Sequence, residues 1–121
     1  MSKKSSPPEW TREFPGAITV CDADGTILYM NEKSARTFAS DGGAALVGAN
    51  VLDCHPEPSR GKLAALIRDQ RSNLYTIEKA GVKKLIAQLP WFDNGEYAGI
   101  VELSIELPAD MPHFIRDTPP A

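Results

Sequence analysis

The chain has few cysteines, few histidines and no long apolar run, and each shortage excludes a class of protein. Its 121 residues include two cysteines and two histidines. A closed zinc site needs four such ligands close together, which Cys21, Cys54, His55 and the distant His113 do not offer. No segment approaches the roughly 20 apolar residues of a membrane span, and no signal peptide core is present. We therefore expect a cytoplasmic protein with reduced cysteines, no metal site and no membrane partner.

Charge is equally unremarkable in its distribution. Thirteen basic and 16 acidic residues give a net charge of -3, and the basic residues are scattered apart from Lys3-Lys4 and Lys83-Lys84. Without a basic stripe, nucleic acid is not an expected partner. Hydrophobic residues make up 42% of the chain, which is typical of a globular protein, and the length fits one domain.

Turn residues and β-branched runs predict five strands. Asp22-Ala23-Asp24-Gly25 and Asp93-Asn94-Gly95 supply the side-chain acceptors and positive-φ positions of tight hairpin turns, as Ala80-Gly81 does between them. The last strand alternates most clearly, with apolar Val101 and Leu103 against polar Glu102 and Ser104. The predicted strands are residues 17–21, 26–30, 74–79 and 82–92, and a last strand that ends at Leu107.

Between the second and third strands the pattern is helical. Asn31 is a candidate N-cap for a short helix that ends near Phe38, and residues 44–47 fit one further turn. Ser59 is a second candidate N-cap, and residues 60–70 place Leu63, Leu66 and Ile67 on one face of an amphipathic helix. The fold class is therefore α+β, with a five-stranded antiparallel sheet and short helices that cover one face.

Three motifs occur in a fixed order along the chain. Asp22-x-Asp24-Gly25-x-Ile27 precedes Asn31, Gly48-x-Asn50 follows in the middle, and Asp93-Asn94-Gly95-Glu96-Tyr97-x-Gly99 opens the last strand. With the element order, these motifs resemble the PAS family over residues 14–107. Residues 1–13 are expected to form a flexible or helical lead-in, and residues 108–121 a C-terminal tail that frays at its end.

A narrower resemblance starts at Cys54-His55-Pro56-x-Pro58-Ser59 and continues at Trp91-Phe92-Asp93. These segments are similar to bacterial PAS domains found beside haemerythrin-like domains and to small stand-alone bacterial PAS proteins. The resemblance implies a non-enzymatic sensor or signal-relay module that binds a small-molecule ligand, forms a homodimer and passes its signal to an output partner protein. It names no cofactor, although haem would need only one axial ligand and an apolar pocket.

Cys54 and His55 form the sharpest candidate pair. A thiolate next to an imidazole can act as a nucleophile or redox sensor, so a small redox- or metal-dependent enzyme is one alternative. In the structural alternative Cys54 packs in the core, while His55 shapes the turn or caps the helix that begins near Ser59. Adjacent residues of an extended segment face opposite ways, which argues against joint action on one atom.

The resemblance to PAS domains implies a ligand site in the space between helices and sheet, and we assign no catalytic or metal-ligating residue. A packed core without a cavity, in a pure dimerisation module, is the other alternative. Trp10 and Phe14 in the lead-in are expected to pack on the outer sheet face, against Ile86 and Ile100, or on a second subunit. Apolar side chains and the Cys-His pair make up the predicted ligand-binding set: Phe38, Val51, Leu52, Cys54, His55, Leu63, Ile67, Leu89, Trp91 and Leu103, with Leu85 and Val101 beside them.

Overall fold

A computed structural model describes residues 7–117, and in this range the chain forms one antiparallel sheet, two α-helices and four single-turn 3-10 helices. The strands are β1 (Ala17–Asp22), β2 (Ile27–Met30), β3 (Asn73–Lys79), β4 (Val82–Asp93) and β5 (Glu96–Leu107). The helices are α1 (Glu32–Thr37) and α2 (Ser59–Asp69), and the 3-10 helices are Glu9–Thr11, Ala39–Asp41, Gly43–Leu46 and Val51–Cys54. Parts of the lead-in and the tail, residues 1–6 and 118–121, lie outside the described residues.

The strand order is β2-β1-β5-β4-β3, so the last strand lies in the centre of the sheet beside the first. Local hairpins join β1 to β2, β3 to β4 and β4 to β5, whereas the β1–β5 pairing connects the two ends of the domain. All pairs are antiparallel, which confirms the predicted α+β class and five-stranded sheet. The register places Thr19 opposite Glu102, and Glu102 opposite Gln88.

Two predicted turn and cap residues hold the first hairpin and α1. The Asp22 carboxylate accepts hydrogen bonds from the backbone N–H groups of Asp24 and Thr26, each at 2.9 Å. Asn31 accepts from the Ser34 N–H at 3.0 Å, as an N-cap side chain should. Asn31 is 1% exposed, and its amide also reaches the lead-in through the carbonyl of Thr11.

The start of α2 differs from the prediction. Ser59 is the first helical residue, Pro58 stands in the N-cap position, and no side chain caps from there. Instead, the Glu57 carboxylate accepts from the Gly61 N–H at 2.8 Å. Proline lacks an N–H and a polar side chain, so the neighbouring carboxylate satisfies the free amide and complements the positive end of the helix. His55 does not cap this helix either, because its ring nitrogen Nδ1 lies 2.6 Å from the Val51 carbonyl.

The helices cover the face of the sheet that carries Glu102 and Ser104. The alternation of β5 predicted that this polar face would be exposed to solvent. Leu63, Leu66 and Ile67 of α2 form the buried cluster together with Cys21 and Ile100 from the sheet. Because strand side chains alternate, Glu102 shares the face of Ile100, and Leu103 lies on the opposite face with Val101. The same parity puts Gln88 under the helices and Leu85, Leu89 and Trp91 on the outer face.

The prediction that Leu85, Leu89, Trp91, Val101 and Leu103 line the helix side was therefore wrong. Period-two alternation separates two faces but does not say which face the connection between β2 and β3 will cover. Both faces here carry apolar side chains, and on the helix-side face Asn73, Gln88 and Glu102 are hydrogen-bonded to one another.

The lead-in packs on the outer face, but not on the residues expected. Trp10 and Phe14 form an edge-to-face pair with ring centroids 5.5 Å apart, and Phe14 lies beside Gly16 and Ile105. Ile86 and Ile100, the expected targets, are buried and lie on the helix side by the strand parity.

No helix within residues 7–117 has both the length and the apolar composition of a bilayer span.

Candidate functional site

Three adjoining cavities lie between the helical layer and the sheet, and His55 and Glu102 contribute to the wall of each. The outermost is a cleft of about 470 Å³ between α2 and the β3–β4–β5 part of the sheet. Two smaller chambers of about 40 and 70 Å³ continue toward Thr19 of β1. The cleft is lined by His55, Ser59, Lys62, Leu63, Leu66, Asn73, Tyr75, Gln88 and Glu102.

A row of polar side chains crosses the sheet at the floor of this cleft. Asn73, Gln88 and Glu102 are directly opposite one another on β3, β4 and β5. The Asn73 amide donates to the Gln88 carbonyl oxygen at 2.9 Å, and the Gln88 amide donates to Glu102 Oε1 at 2.9 Å. Both amides are thus fixed so that their donors point toward the carboxylate.

The row continues onto β1 at Thr19, opposite Glu102. The Thr19 hydroxyl is engaged with the Ser34 hydroxyl of α1 at 2.6 Å, so it connects the sheet to the first helix. Among residues 7–117, the Glu102 carboxylate accepts one hydrogen bond, from Gln88 to Oε1, and forms no ion pair. The second oxygen, Oε2, therefore keeps its acceptor capacity for a group in the cleft.

His55 stands on the helical side of the same space. It follows the 3-10 helix Val51–Cys54, and its Nδ1 lies 2.6 Å from the Val51 carbonyl oxygen. A carbonyl can only accept, so Nδ1 carries the proton and donates. In the neutral ring this tautomer leaves Nε2 as an acceptor, and His55 adds a second acceptor to the walls that contain Glu102.

The two cysteines have different surroundings. Cys54 is exposed, and its thiol contacts the Asn50 carbonyl at 3.7 Å. Cys21 is buried under α2, where burial raises the pKa of its thiol, and the carboxylates of Asp22 and Glu102 add to the rise. Both are free thiols. No group of three metal-ligating side chains occurs between residues 7 and 117.

The predicted site residues divide into three groups. Phe38, Val51, Cys54, His55 and Leu63 line one or more of the cavities, and their contact with a ligand stays a prediction. Leu52 and Ile67 belong to the packed core beside them without appearing in the cavity walls. Leu89, Trp91 and Leu103 lie on the other face of the sheet.

Sequence reasoning missed Asn73, Gln88 and Glu102. One signal for them was available: a two-residue turn at Ala80-Gly81 pairs Asn73 with Gln88. The second pairing, with Glu102, also depends on the irregularity between Trp91 and Phe92, which shifts the register of the next hairpin.

The cavities do not have the shape that haem requires. The two inner chambers are far below the roughly 300 Å³ at the lower end of small-molecule pockets. The wider cleft has a polar floor with a carboxylate and two amides rather than an apolar slot. His55 is the one histidine in its wall, and its free Nε2 shares the cleft with the charged Glu102 side chain. The cleft suits a small polar molecule better.

A five-stranded antiparallel sheet with short helices on one face is also the architecture of the PAS domain of the histidine kinase ThkA, which is 14% identical to this chain with a TM-score of 0.56. The family model described as PAS fold matches residues 11–72, and the chain belongs to this family. PAS domains are typically non-enzymatic sensor modules. No curated protein matches the chain.

Solved structures agree on the fold. A C-terminal domain from Streptococcus mutans is 23% identical, with a TM-score of 0.64 over 79% of this chain and 78% of that one. The Aer2 receptor from Vibrio cholerae, a dual PAS-heme oxygen sensor, is 20% identical, with a TM-score of 0.55 over 77% and 95%. VqmA bound to DPO is 15% identical, with a TM-score of 0.58 over 81% of this chain and 55% of that one. At these identities the likeness is one of fold.

Proposed function

We propose that this protein is a PAS-type sensor or relay module that binds a small polar ligand in the cleft above Asn73, Gln88 and Glu102. The observation that carries the proposal is the hydrogen-bonded row of these side chains, with Glu102 Oε2 left available under α2. The cytoplasm is its proposed location, and a partner protein its proposed output.

The polar row of Asn73, Gln88 and Glu102 carries a cost in folding free energy. Gln88 is buried and Glu102 half-buried, and polar groups that lose hydration in this way destabilise the fold unless hydrogen bonds replace it, whereas Asn73 at the sheet edge is exposed. Apolar side chains at these positions would fill the space without that cost. Polar residues that pair with one another yet leave an acceptor toward a cleft are typical of a binding site.

The free groups favour a ligand that donates hydrogen bonds. Glu102 Oε2 and His55 Nε2 are both acceptors, and the carboxylate contributes a negative charge. An N–H or O–H donor would satisfy both, and a positive charge would strengthen the contact with Glu102. The cleft volume of about 470 Å³ is within the range for small molecules.

The same row offers a route for the signal. A ligand bound to Glu102 Oε2 would share the carboxylate with Gln88, which donates to Oε1 and accepts from Asn73 at the start of the edge strand β3. The Tyr97 hydroxyl donates to the Ile67 carbonyl at 2.8 Å, so β5 is also tied to α2. We propose that ligand binding shifts α2 and β3 together and that a partner protein or second subunit detects the change.

Two similar proteins support a ligand-binding role. Aer2 of Vibrio cholerae is a heme oxygen sensor, and VqmA has been solved with DPO bound. The dimer of VqmA is consistent with a proposed homodimer here. The redox-enzyme alternative has less support, because Cys54 contacts Asn50 and the His55 ring contacts Val51 rather than the thiol.

The test is native mass spectrometry of the protein purified from its own host, together with an absorbance spectrum from about 300 to 700 nm. We expect a small molecule at stoichiometric occupancy in the wild type and its loss in Glu102→Gln, which keeps the shape of the side chain but removes the charge. Glu96→Gln, at the exposed start of β5, is the matched control and should retain the molecule. An empty wild-type protein that forms dimers would instead favour the dimerisation module.

A further inference from the structure

A second concave surface lies around the β1–β2 and β4–β5 hairpins, apart from the cleft above Glu102. It is a groove of about 670 Å³ with three aromatic walls, Tyr29, Trp91 and Phe92. None of the residues that line the cleft is among its lining residues. We refer to it as the aromatic groove. Its other lining residues are Pro7, Val20, Asp22, Ala23, Asp24, Leu28, Asp93 and Ala98.

A β-bulge brings two of the aromatic rings to the groove. Trp91 and Phe92 are consecutive residues, which an unbroken strand would direct to opposite faces, but the β4–β5 register shifts between them. Trp91 is fixed by its indole N–H, which donates to the Cys21 carbonyl at 3.0 Å. Phe92 packs edge-to-face on Tyr97 with centroids 6.1 Å apart.

The third aromatic wall, Tyr29 of β2, is positioned by a contact with the lead-in. The Tyr29 hydroxyl is within 2.9 Å of the Thr11 hydroxyl, which ties the ring to the lead-in. The β1–β2 register is also irregular beside it, between Val20 and Cys21. Tyr29 and Trp91 therefore have defined positions through polar contacts at their rims, and their ring faces stay available to a ligand.

All charged residues in the groove wall are acidic. Asp22, Asp24 and Asp93 line it, and no Lys, Arg or His does so. None of the three forms an ion pair within residues 7–117. Asp22 is engaged with turn amides, whereas Asp24 and Asp93 make no side-chain hydrogen bond among the described residues. Within residues 7–117 the groove thus combines electron-rich rings with negative charge that no ion pair neutralises.

We propose that the aromatic groove binds a small organic cation, of the methylated ammonium class. Such a cation is attracted to the faces of tryptophan, tyrosine and phenylalanine and to carboxylates, and its alkyl surface is apolar enough to leave water. An anion would be repelled by the three aspartates, and a hard inorganic cation prefers a complete shell of oxygen ligands to the apolar and aromatic walls of the groove. The volume of about 670 Å³ suits a small molecule.

The test compares choline with its neutral isostere, 3,3-dimethylbutan-1-ol, by ¹H–¹⁵N NMR titration of the full chain. The protein has two tryptophans, so its two indole N–H signals report separately on Trp91 in the groove and on Trp10 in the lead-in. We expect choline to shift the Trp91 signal in a saturable way and to leave Trp10 in place. The neutral alcohol should bind at least about tenfold more weakly, because it lacks the charge.

Two variants connect that binding to the groove. Asp93→Asn keeps a residue suited to the turn and should weaken choline binding several-fold, and Phe92→Leu should do the same by removing a ring while keeping an apolar side chain. Asp41→Asn, in a distant 3-10 helix, is the matched control for loss of one negative charge. Retained NMR dispersion shows that each variant is folded.

Equal binding of choline and the alcohol, or binding unchanged by both groove variants, would overturn the proposal. The same holds if choline fails to bind while a peptide with a free arginine side chain does, since the groove would then serve a protein partner. Glu102→Gln should leave choline binding unchanged, so this proposal and the ligand cleft fail or succeed independently.

Discussion

Trp91 of β4 donates its indole N–H to the backbone carbonyl of Cys21 on β1, although β5 lies between the two strands. This hydrogen bond of 3.0 Å can form because no side chain of β5 stands in its way. The residue of β5 that lies opposite both Trp91 and Asp22 is Gly99. A glycine at this position exposes the backbone of β5, so the ring can lie across it and reach the third strand. The absence of one side chain in the central strand thus joins three strands.

Replacing Gly99 by alanine should strongly destabilise the fold. Gly99 has φ +148, and an added Cβ would collide with the Cys21 carbonyl oxygen and lie 2.7 Å from Asp22 backbone atoms. These atoms belong to a paired strand and cannot move aside without breaking the β1–β5 pairing. We expect a loss of about 3 kcal/mol in the free energy of unfolding, measured by urea denaturation.

Gly81→Ala is the matched control for that substitution. Gly81 also has positive φ, +80, but nothing lies within 4 Å of its added Cβ. It should lose only the cost of a left-handed alanine, about 1 kcal/mol. Equal losses for the two variants would mean that backbone conformation alone, and not the close approach of β1 to β5, explains the glycine at 99.

Asn31→Ala should be at least as damaging, because the Asn31 side chain connects three segments. Its oxygen accepts from Ile18 and Ser34, and its amide donates to Thr11 and Gly16. Loss of the side chain leaves buried backbone groups without partners, so we expect destabilisation of about 3–5 kcal/mol.

Asn50→Ala separates capping from burial in the same denaturation experiment. Asn50 accepts from the Leu52 N–H and donates to the Asp24 carbonyl, but these contacts are closer to solvent. We expect a loss of about 1 kcal/mol, as for an ordinary cap. If Asn50→Ala cost as much as Asn31→Ala, the interior position of Asn31 would not matter.

Stability should fall at alkaline pH through Cys21. Burial raises the pKa of its thiol above the usual 9.0. Because the folded-state pKa exceeds the unfolded-state pKa, the contribution of the neutral thiol is complete below pH 9.0 and is lost as the pH rises through the folded-state value. The free energy of unfolding, measured from about pH 8 to 10.5, should therefore fall more steeply in the wild type than in Cys21→Ala.

Tyr75 and Tyr97 also have raised pKa values, through burial, so the comparison must be made as a difference between variants. Cys54→Ala is the control, because Cys54 is exposed. Its slope should match that of the wild type. If Cys21→Ala kept the full alkaline slope, the tyrosines would be its source.

The hydrogen-bonded row of Asn73, Gln88 and Glu102 should make the fold less stable than apolar residues at the same positions would, as expected of residues kept for ligand binding. Gln88→Leu alone removes the donor to Glu102 and the acceptor for Asn73, and we expect a loss of about 1–2 kcal/mol. The double variant Gln88→Leu, Glu102→Leu removes both partners and fills the space with apolar atoms. It should recover that loss or exceed wild-type stability by about 1 kcal/mol while retaining no ligand. A double variant less stable than the single one would assign the row to structure.

The local elements of this protein were predictable because their causes are local. Asp22 and Asn31 act on backbone groups only a few residues away, so turn and cap chemistry could be predicted without the fold. The Asn94-Gly95 turn has φ of 52 and 82 at its two positions, as its sequence requires. Ser59 was misassigned as the N-cap of α2 although the capping is local. The free amide of the first turn is satisfied by Glu57, two residues earlier in a proline-rich segment, and not by Ser59.

The candidate site was predictable only on its helical side. Leu63 and His55 could be placed toward the sheet from the amphipathic helix and the motif before it. The floor could not, because its three polar residues come from three strands and meet only when two registers are fixed. Cross-strand neighbours depend on turn length and on the bulge at Trp91, which shifts the register by one position.

By itself, the sequence determined the five strands, the two α-helices, the hairpin turns, the Asn31 cap and the two alternating faces of β4 and β5, because each depends on residues within a few positions. Tertiary structure alone decided which face the helices cover and that β5 lies beside β1. Those choices depend on the whole connection between β2 and β3 and on contacts between the ends of the domain. Glu102 is therefore a solvent-face residue by its sequence pattern and a cleft residue in the folded protein.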